Sequence, residues 1–151
     1  MLALAAATGL AAVAAALVTQ HVFDMQPCPW CVLQRVIFVA IALAALPGVL
    51  SATRPARLFS GALMMLLAAA GIAAALWQHF VAASSTSCNL TLADRIVSGI
   101  GLDNLLPQVF AAYASCADAA VKLAGIPYEF YSLALFLALG LVAARVLRRP
   151  L

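Results

Sequence analysis

Charge is what this chain most lacks. Its 151 residues include 8 Lys or Arg and 5 Asp or Glu, so 9% are charged while 67% are apolar. Soluble domains carry about 25% charged residues. A deficit this deep excludes an ordinary water-solvated surface and points to a membrane. The net charge is only +3, and no basic stripe is interleaved with aromatics. Both facts argue against nucleic acid as a partner. Internal repeats are also missing, and the length suits one domain. Cysteine is scarce, with four in the chain.

What is abundant is uncharged apolar sequence. Met1 to Phe23, Val36 to Thr53 and Leu58 to Ala93 carry no charge, and Ile126 to Val146 carries only Glu129 and Arg145 near its ends. A bilayer core takes about 20 residues of helix. The expected fold is therefore all-α, a four-transmembrane-helix bundle with spans near 2–22, 30–50, 58–82 and 127–147. The first span resembles a signal peptide in position, but it has no basic start and its apolar run is too long for one. Pro47-Gly48 marks the end of the second span, and Pro127 suits the first turn of the fourth. Small residues in patches such as "ALAAATGLAAVAAAL" let membrane helices approach closely.

Arginine placement sets the expected orientation. Arg54 and Arg57 lie between spans two and three, and Arg145, Arg148 and Arg149 close the chain. By the positive-inside rule these segments are cytoplasmic, as are both termini. Two loops then face the other side, about 23–29 and about 83–126. They hold Cys28, Cys88 and Cys116, and Cys31 falls in the first turn of span two. All four cysteines are thus expected in the compartment where disulfides persist.

The longer loop exceeds the roughly 12–15 residues usual for a structureless connection. Leu92, Ile96 and Ile100, then Leu105, Leu106, Val109, Phe110 and Tyr113, recur at helical spacing. Short helices here either lie flat in the membrane interface or pack on the end of the bundle.

The cysteine spacing separates three chemistries. As a staple, a bond between Cys88 and Cys116 would stabilise by roughly 3–4 kcal/mol in the chain-entropy model. A bond across the two-residue gap between Cys28 and Cys31 restrains almost nothing. A zinc site of four cysteines wants a second close pair, and Cys88 and Cys116 are far apart in sequence, so no metal is expected. Redox chemistry fits the short ring best. Pro29 can open helix two, which makes Cys28 its N-cap and Cys31 its third residue. The positive end of the helix favours a thiolate there. Arg35 lies one turn deeper on the face of Cys31. A cation at the edge of a span is costly and suggests function, although snorkelling toward headgroups is the plain alternative.

"PCPWCVLQR" at the head of span two, "LLPQVFAAYASCA" around Cys116 and "WQHF" at the outer end of span three resemble the disulfide bond formation protein B (DsbB) family. The resemblance covers nearly the whole chain, including the four spans. It implies an enzyme, a protein-disulfide:quinone oxidoreductase of the bacterial inner membrane that reoxidises a periplasmic thioredoxin-fold disulfide oxidase (DsbA-like). By the resemblance, Cys88 and Cys116 form the partner-facing disulfide, and the partner attacks at Cys88. Cys116 then attacks Cys28, leaving Cys31 to face the cofactor, ubiquinone or menaquinone. Arg35, His79 and Gln34 are the residues expected around the quinone. His21 reads as an ordinary interfacial residue, and Trp30 and Trp77 as members of an aromatic belt.

Two other readings stand beside this one. A vitamin K epoxide reductase-like enzyme also couples Cys-x-x-Cys to quinone, but its redox motif is expected late in the chain. A haem-binding bundle using His21 and His79 would be a non-enzymatic alternative.

Overall fold

The computed structural model describes residues 1–81, 92–113 and 122–148, with side chains of the last segment from Ala124 onward. Cys88 and Cys116 lie outside the described residues. Four helices are long and apolar enough to cross a membrane: α1 (Leu2–His21), α2 (Pro29–Leu50), α3 (Arg54–Phe80) and, after three short helices, α7 (Tyr128–Arg148). The short ones are α4 (Leu92–Ile100), α5 (Leu102–Leu105) and α6 (Pro107–Phe110). A two-residue hairpin, β1 (Lys122–Leu123) with β2 (Ile126–Pro127), precedes α7. Its turn residues Ala124 and Gly125 both have positive φ, as a tight two-residue hairpin turn requires.

The spans follow the charge-free runs to within a few residues. The exceptions are prolines. Helix α2 runs past Pro47 to Leu50. The Gly48 N–H donates to Ser60 Oγ at 2.9 Å, in the buried contact with α3. That side-chain partner satisfies a backbone group beside the proline, so the helix need not stop there. Pro127 belongs to β2, one residue before α7.

Helix α2 is the centre of the bundle. It packs against α1, α3, α4 and α6, while α7 lies mainly against α3. Its buried face carries Val32, Phe38, Ile41 and Ala45. Phe38 stacks on Phe136 of α7, with ring centroids 4.1 Å apart and planes within 7°. The ring of Phe136 fits because α3 has glycine beneath it; a Cβ on Gly71 would collide with that ring. Close packing of this kind, rather than a hydrophobic drive between helices, holds membrane bundles together. The outward faces show Leu4, Leu10, Leu43, Leu66 and Leu141, which suits contact with lipid.

The short helices pack on the end of the bundle, one of the two arrangements the sequence left open, and keep further apolar side chains exposed. In α4, Ala93 and Val97 are buried on the bundle end, and Phe110 of α6 is buried with them. Leu92, Ile96 and Ile100 form the exposed flank of α4, and Leu105, Leu106 and Tyr113 are exposed farther on. One apolar stripe is therefore shared between the bundle and its surroundings.

Candidate redox site

The site forms where α2 begins. Proline at the first position costs the helix no hydrogen bond, since that N–H has no partner inside the helix. Cys28 precedes it as the N-cap, with extended backbone (φ −86°, ψ 168°). Its Sγ accepts the backbone N–H of Cys31 at 3.2 Å. The two sulfurs lie 2.6 Å apart. Cys28 is wholly buried and Cys31 is partly exposed. Adjacent sulfurs at a helix N-terminus can pass between dithiol and disulfide, with the helix end favouring any thiolate formed.

Three buried polar side chains surround the pair. Gln78 of α3 donates its Nε2–H to Cys31 Sγ at 3.3 Å. Gln34 of α2 donates to Gln78 Oε1 at 2.5 Å. Arg35 is 6% exposed, so it does not snorkel. Its guanidinium donates to Gln20 Oε1 of α1 at 2.7 Å and to the Val109 carbonyl of α6 at 2.8 Å. Expected as a cation for the cysteines, Arg35 is also a tie between α1, α2 and the second loop. A second tie lies close by: the Tyr113 N–H donates to the Pro27 carbonyl at 3.1 Å. Pro27 is the neighbour of Cys28, and Tyr113 precedes Cys116 by three residues.

The other expected residues have contacts of their own, apart from the two sulfurs. His79 directs Nδ1 to Glu129 Oε1 of α7 at 2.6 Å. Its ring also meets Phe130, with centroids 4.5 Å apart. The outer turn of α3 thus faces two ways, Gln78 toward the cysteines and His79 toward α7. Trp77 is 51% exposed, as a belt residue should be, but its neighbour Trp30 is buried. His21 is exposed, with Nε2 3.3 Å from the Gln108 carbonyl.

Sequence reasoning missed Gln20, Gln78 and Glu129. Each is a polar residue on a membrane span, buried at 4–5% exposure. Buried polar groups demand partners, and that demand was the available signal.

A family model described as "Disulfide bond formation protein DsbB" matches residues 1–146 of this chain. The chain belongs to the DsbB family. Curated relatives agree. Disulfide bond formation protein B of Herminiimonas arsenicoxydans is 33% identical over 137 residues, covering 90% of this chain and 86% of that protein. The protein of the same name from Cupriavidus metallidurans is 33% identical across 93% of this chain and 87% of its own length. That of Ralstonia nicotianae is 35% identical across 88% and 84%. DsbB membership makes the chain a membrane protein of disulfide bond formation with a disulfide-forming oxidoreductase role. It favours the first of the three readings of the sequence over the vitamin K epoxide reductase-like and haem-binding ones.

Proposed function

We propose that this chain is a thiol:quinone oxidoreductase of the bacterial inner membrane. It reoxidises a periplasmic thioredoxin-fold disulfide oxidase and passes the electrons through two cysteine pairs to quinone. The observation that carries the reading is the cysteine pair at the head of the central span, one sulfur buried and one partly exposed. Such a pair stands where a water-borne thiol chain and a lipid-borne acceptor can meet.

The first steps are exchanges among sulfurs. A thiolate of the soluble partner attacks Cys88 of a Cys88–Cys116 disulfide, and Cys116 leaves as a thiolate. The Cys116 thiolate attacks Cys28, and the Cys28–Cys31 bond breaks with Cys31 as leaving thiolate. The hydrogen bond from Tyr113 to Pro27 supports this order, since it holds the chain leading to Cys116 next to Cys28. The partner's second thiol releases Cys88 and completes the partner's disulfide. Cys88 then attacks Cys116, which frees Cys28, so that Cys28 and Cys31 remain as the dithiol. Each exchange depends on the thiolate fraction of the attacker and the quality of the leaving thiol.

The surroundings of Cys31 fit a quinone. Cys31 is partly exposed at the head of a central apolar span, with a hydrogen bond from Gln78 on its sulfur and the charge of Arg35 within electrostatic reach. Arg35, Gln34 and His79 are the residues that would hold it. Quinone, when bound, supplies the two-electron, two-proton acceptor that returns the dithiol to the disulfide. The orientation follows from the arginines: both termini cytoplasmic, all four cysteines periplasmic.

The test is turnover of purified protein with a reduced thioredoxin-fold partner and either ubiquinone or menaquinone. One quinone should disappear per partner oxidised, and Cys31→Ser should abolish that loss. Normal turnover by the Cys31→Ser protein would refute the mechanism.

A further inference from the structure

We infer that Gln78 is a catalytic residue that touches the Cys31 sulfur and holds it as a thiolate. Gln34 is the positioning residue that keeps the Gln78 amide turned nitrogen-first. The assignment of Gln78 to turnover rests on the role proposed above for Cys31; its contact with the sulfur does not.

A carboxamide has a donor end and an acceptor end, and in a buried site both must be used. Gln34 and Gln78 are each 4% exposed, so water does not relieve either one. Which end of Gln78 meets the sulfur is decided at its other end. There Gln34 presents an N–H to Gln78 Oε1. With its oxygen taken, Gln78 can offer Cys31 only its N–H. A thiol could use either end, but a thiolate accepts and cannot donate. The arrangement therefore matches the thiolate.

The choice of amides matters in this setting. A neutral donor stabilises a nearby anion without adding a buried charge, whose desolvation is costly in apolar surroundings. Hydrogen bonds to charged groups are also stronger than those between neutral groups. Glutamate at position 78 would set a second anion against the sulfur. Glutamate at position 34 would accept the Gln78 N–H and turn that amide away. The N–H of Cys31 itself does not serve its own sulfur, since it is bonded to Cys28 Sγ. The Cys31 sulfur must leave when Cys28 is attacked, and a better-stabilised leaving thiolate departs faster.

The test uses the reduced full-length protein in detergent micelles. Iodoacetamide labelling of Cys31 is followed by peptide mass spectrometry at neutral pH for wild type, Gln78→Leu, Gln34→Leu and the double variant. Losing one hydrogen bond to a charged sulfur should slow labelling about threefold to tenfold, once the higher reactivity of the remaining thiolate is counted. Gln34→Leu should show a smaller loss. The double variant should match Gln78→Leu alone, because Gln34 acts through Gln78. In quinone-linked turnover, Gln78→Leu should lower kcat and leave the KM for quinone in place. Unchanged labelling in Gln78→Leu, or losses that multiply in the double variant, would overturn the inference. If Gln78→Leu does not fold, Gln78→Glu keeps the size and should slow labelling at least as much; wild-type labelling of that variant also overturns it. Should wild type fail to reduce quinone while labelling behaves as described, the proposed function fails and the sulfur contact stands.

Discussion

Replacing Arg35 by leucine should undock the second loop from the cysteine site. Arg35 is 6% exposed, and among the described residues its guanidinium makes two hydrogen bonds, one within the bundle to Gln20 and one to the Val109 carbonyl. Leucine fills part of the space and makes neither. The bond to Gln20 joins α1 and α2, which keep an extensive apolar interface. The bond to Val109 is different, because it fixes a four-residue helix whose apolar anchorage is limited to Val109 and Phe110. A hydrogen bond to a charged group contributes about 1.5–3 kcal/mol. Local opening of the segment should therefore become about tenfold to a hundredfold more frequent. The reporter is the Tyr113 amide, bonded to the Pro27 carbonyl at 3.1 Å. Hydrogen exchange of the protein in micelles should show Tyr113 faster by that factor, with amides of the α3–α7 interface unchanged. Unaltered exchange at Tyr113 would refute the view that Arg35 anchors the loop. Equal acceleration everywhere would show that Arg35 supports the whole bundle instead.

Other outcomes follow from the same contacts. Arg35→Leu should also raise the apparent KM for quinone in steady-state assays, and an unchanged value would confine Arg35 to the loop. Gly71→Ala should lower the thermal unfolding midpoint in detergent, since the new methyl meets the buried Phe136 ring; overpacking of this kind costs about 1–3 kcal/mol. His79→Ala should destabilise the protein by leaving the buried Glu129 carboxylate without its hydrogen-bond partner. Adding Glu129→Gln should restore much of that loss, because the lone charge is then gone. Additive losses in the double variant would show that the two residues do not act as a pair.

The spans were legible because a bilayer permits few alternatives. Runs without charge, about 20 residues long, have little choice but to be helices. The start of α2 was legible for a local reason: Cys-Pro fixes an N-cap and a first turn within two residues. Arg35 was placed correctly on its helix but not among its partners. Val109 is 74 residues away and Gln20 lies on another helix, so helical spacing holds no record of either contact. The same applies to His79, whose partner Glu129 is 50 residues distant. Trp30 was expected in an aromatic belt and is buried, since it shares a helical face with the buried Leu33, Gln34 and Ile37 of α2. Pro47 was expected to stop a helix and does not, because Ser60 of the next span takes over a backbone partner.

The inequality between the two sulfurs has a consequence for leakage. Cys28 is sealed inside the protein. Small soluble thiols, common near any cell, cannot collide with it directly. Only a sulfur presented by a docked segment of polypeptide has the geometry to reach it. The internal link then behaves like a sheathed conductor, open at its ends and closed along its length. The Cys28 side of the Cys28–Cys31 bond is thereby reserved for protein thiols, and Cys31 is left as its open end.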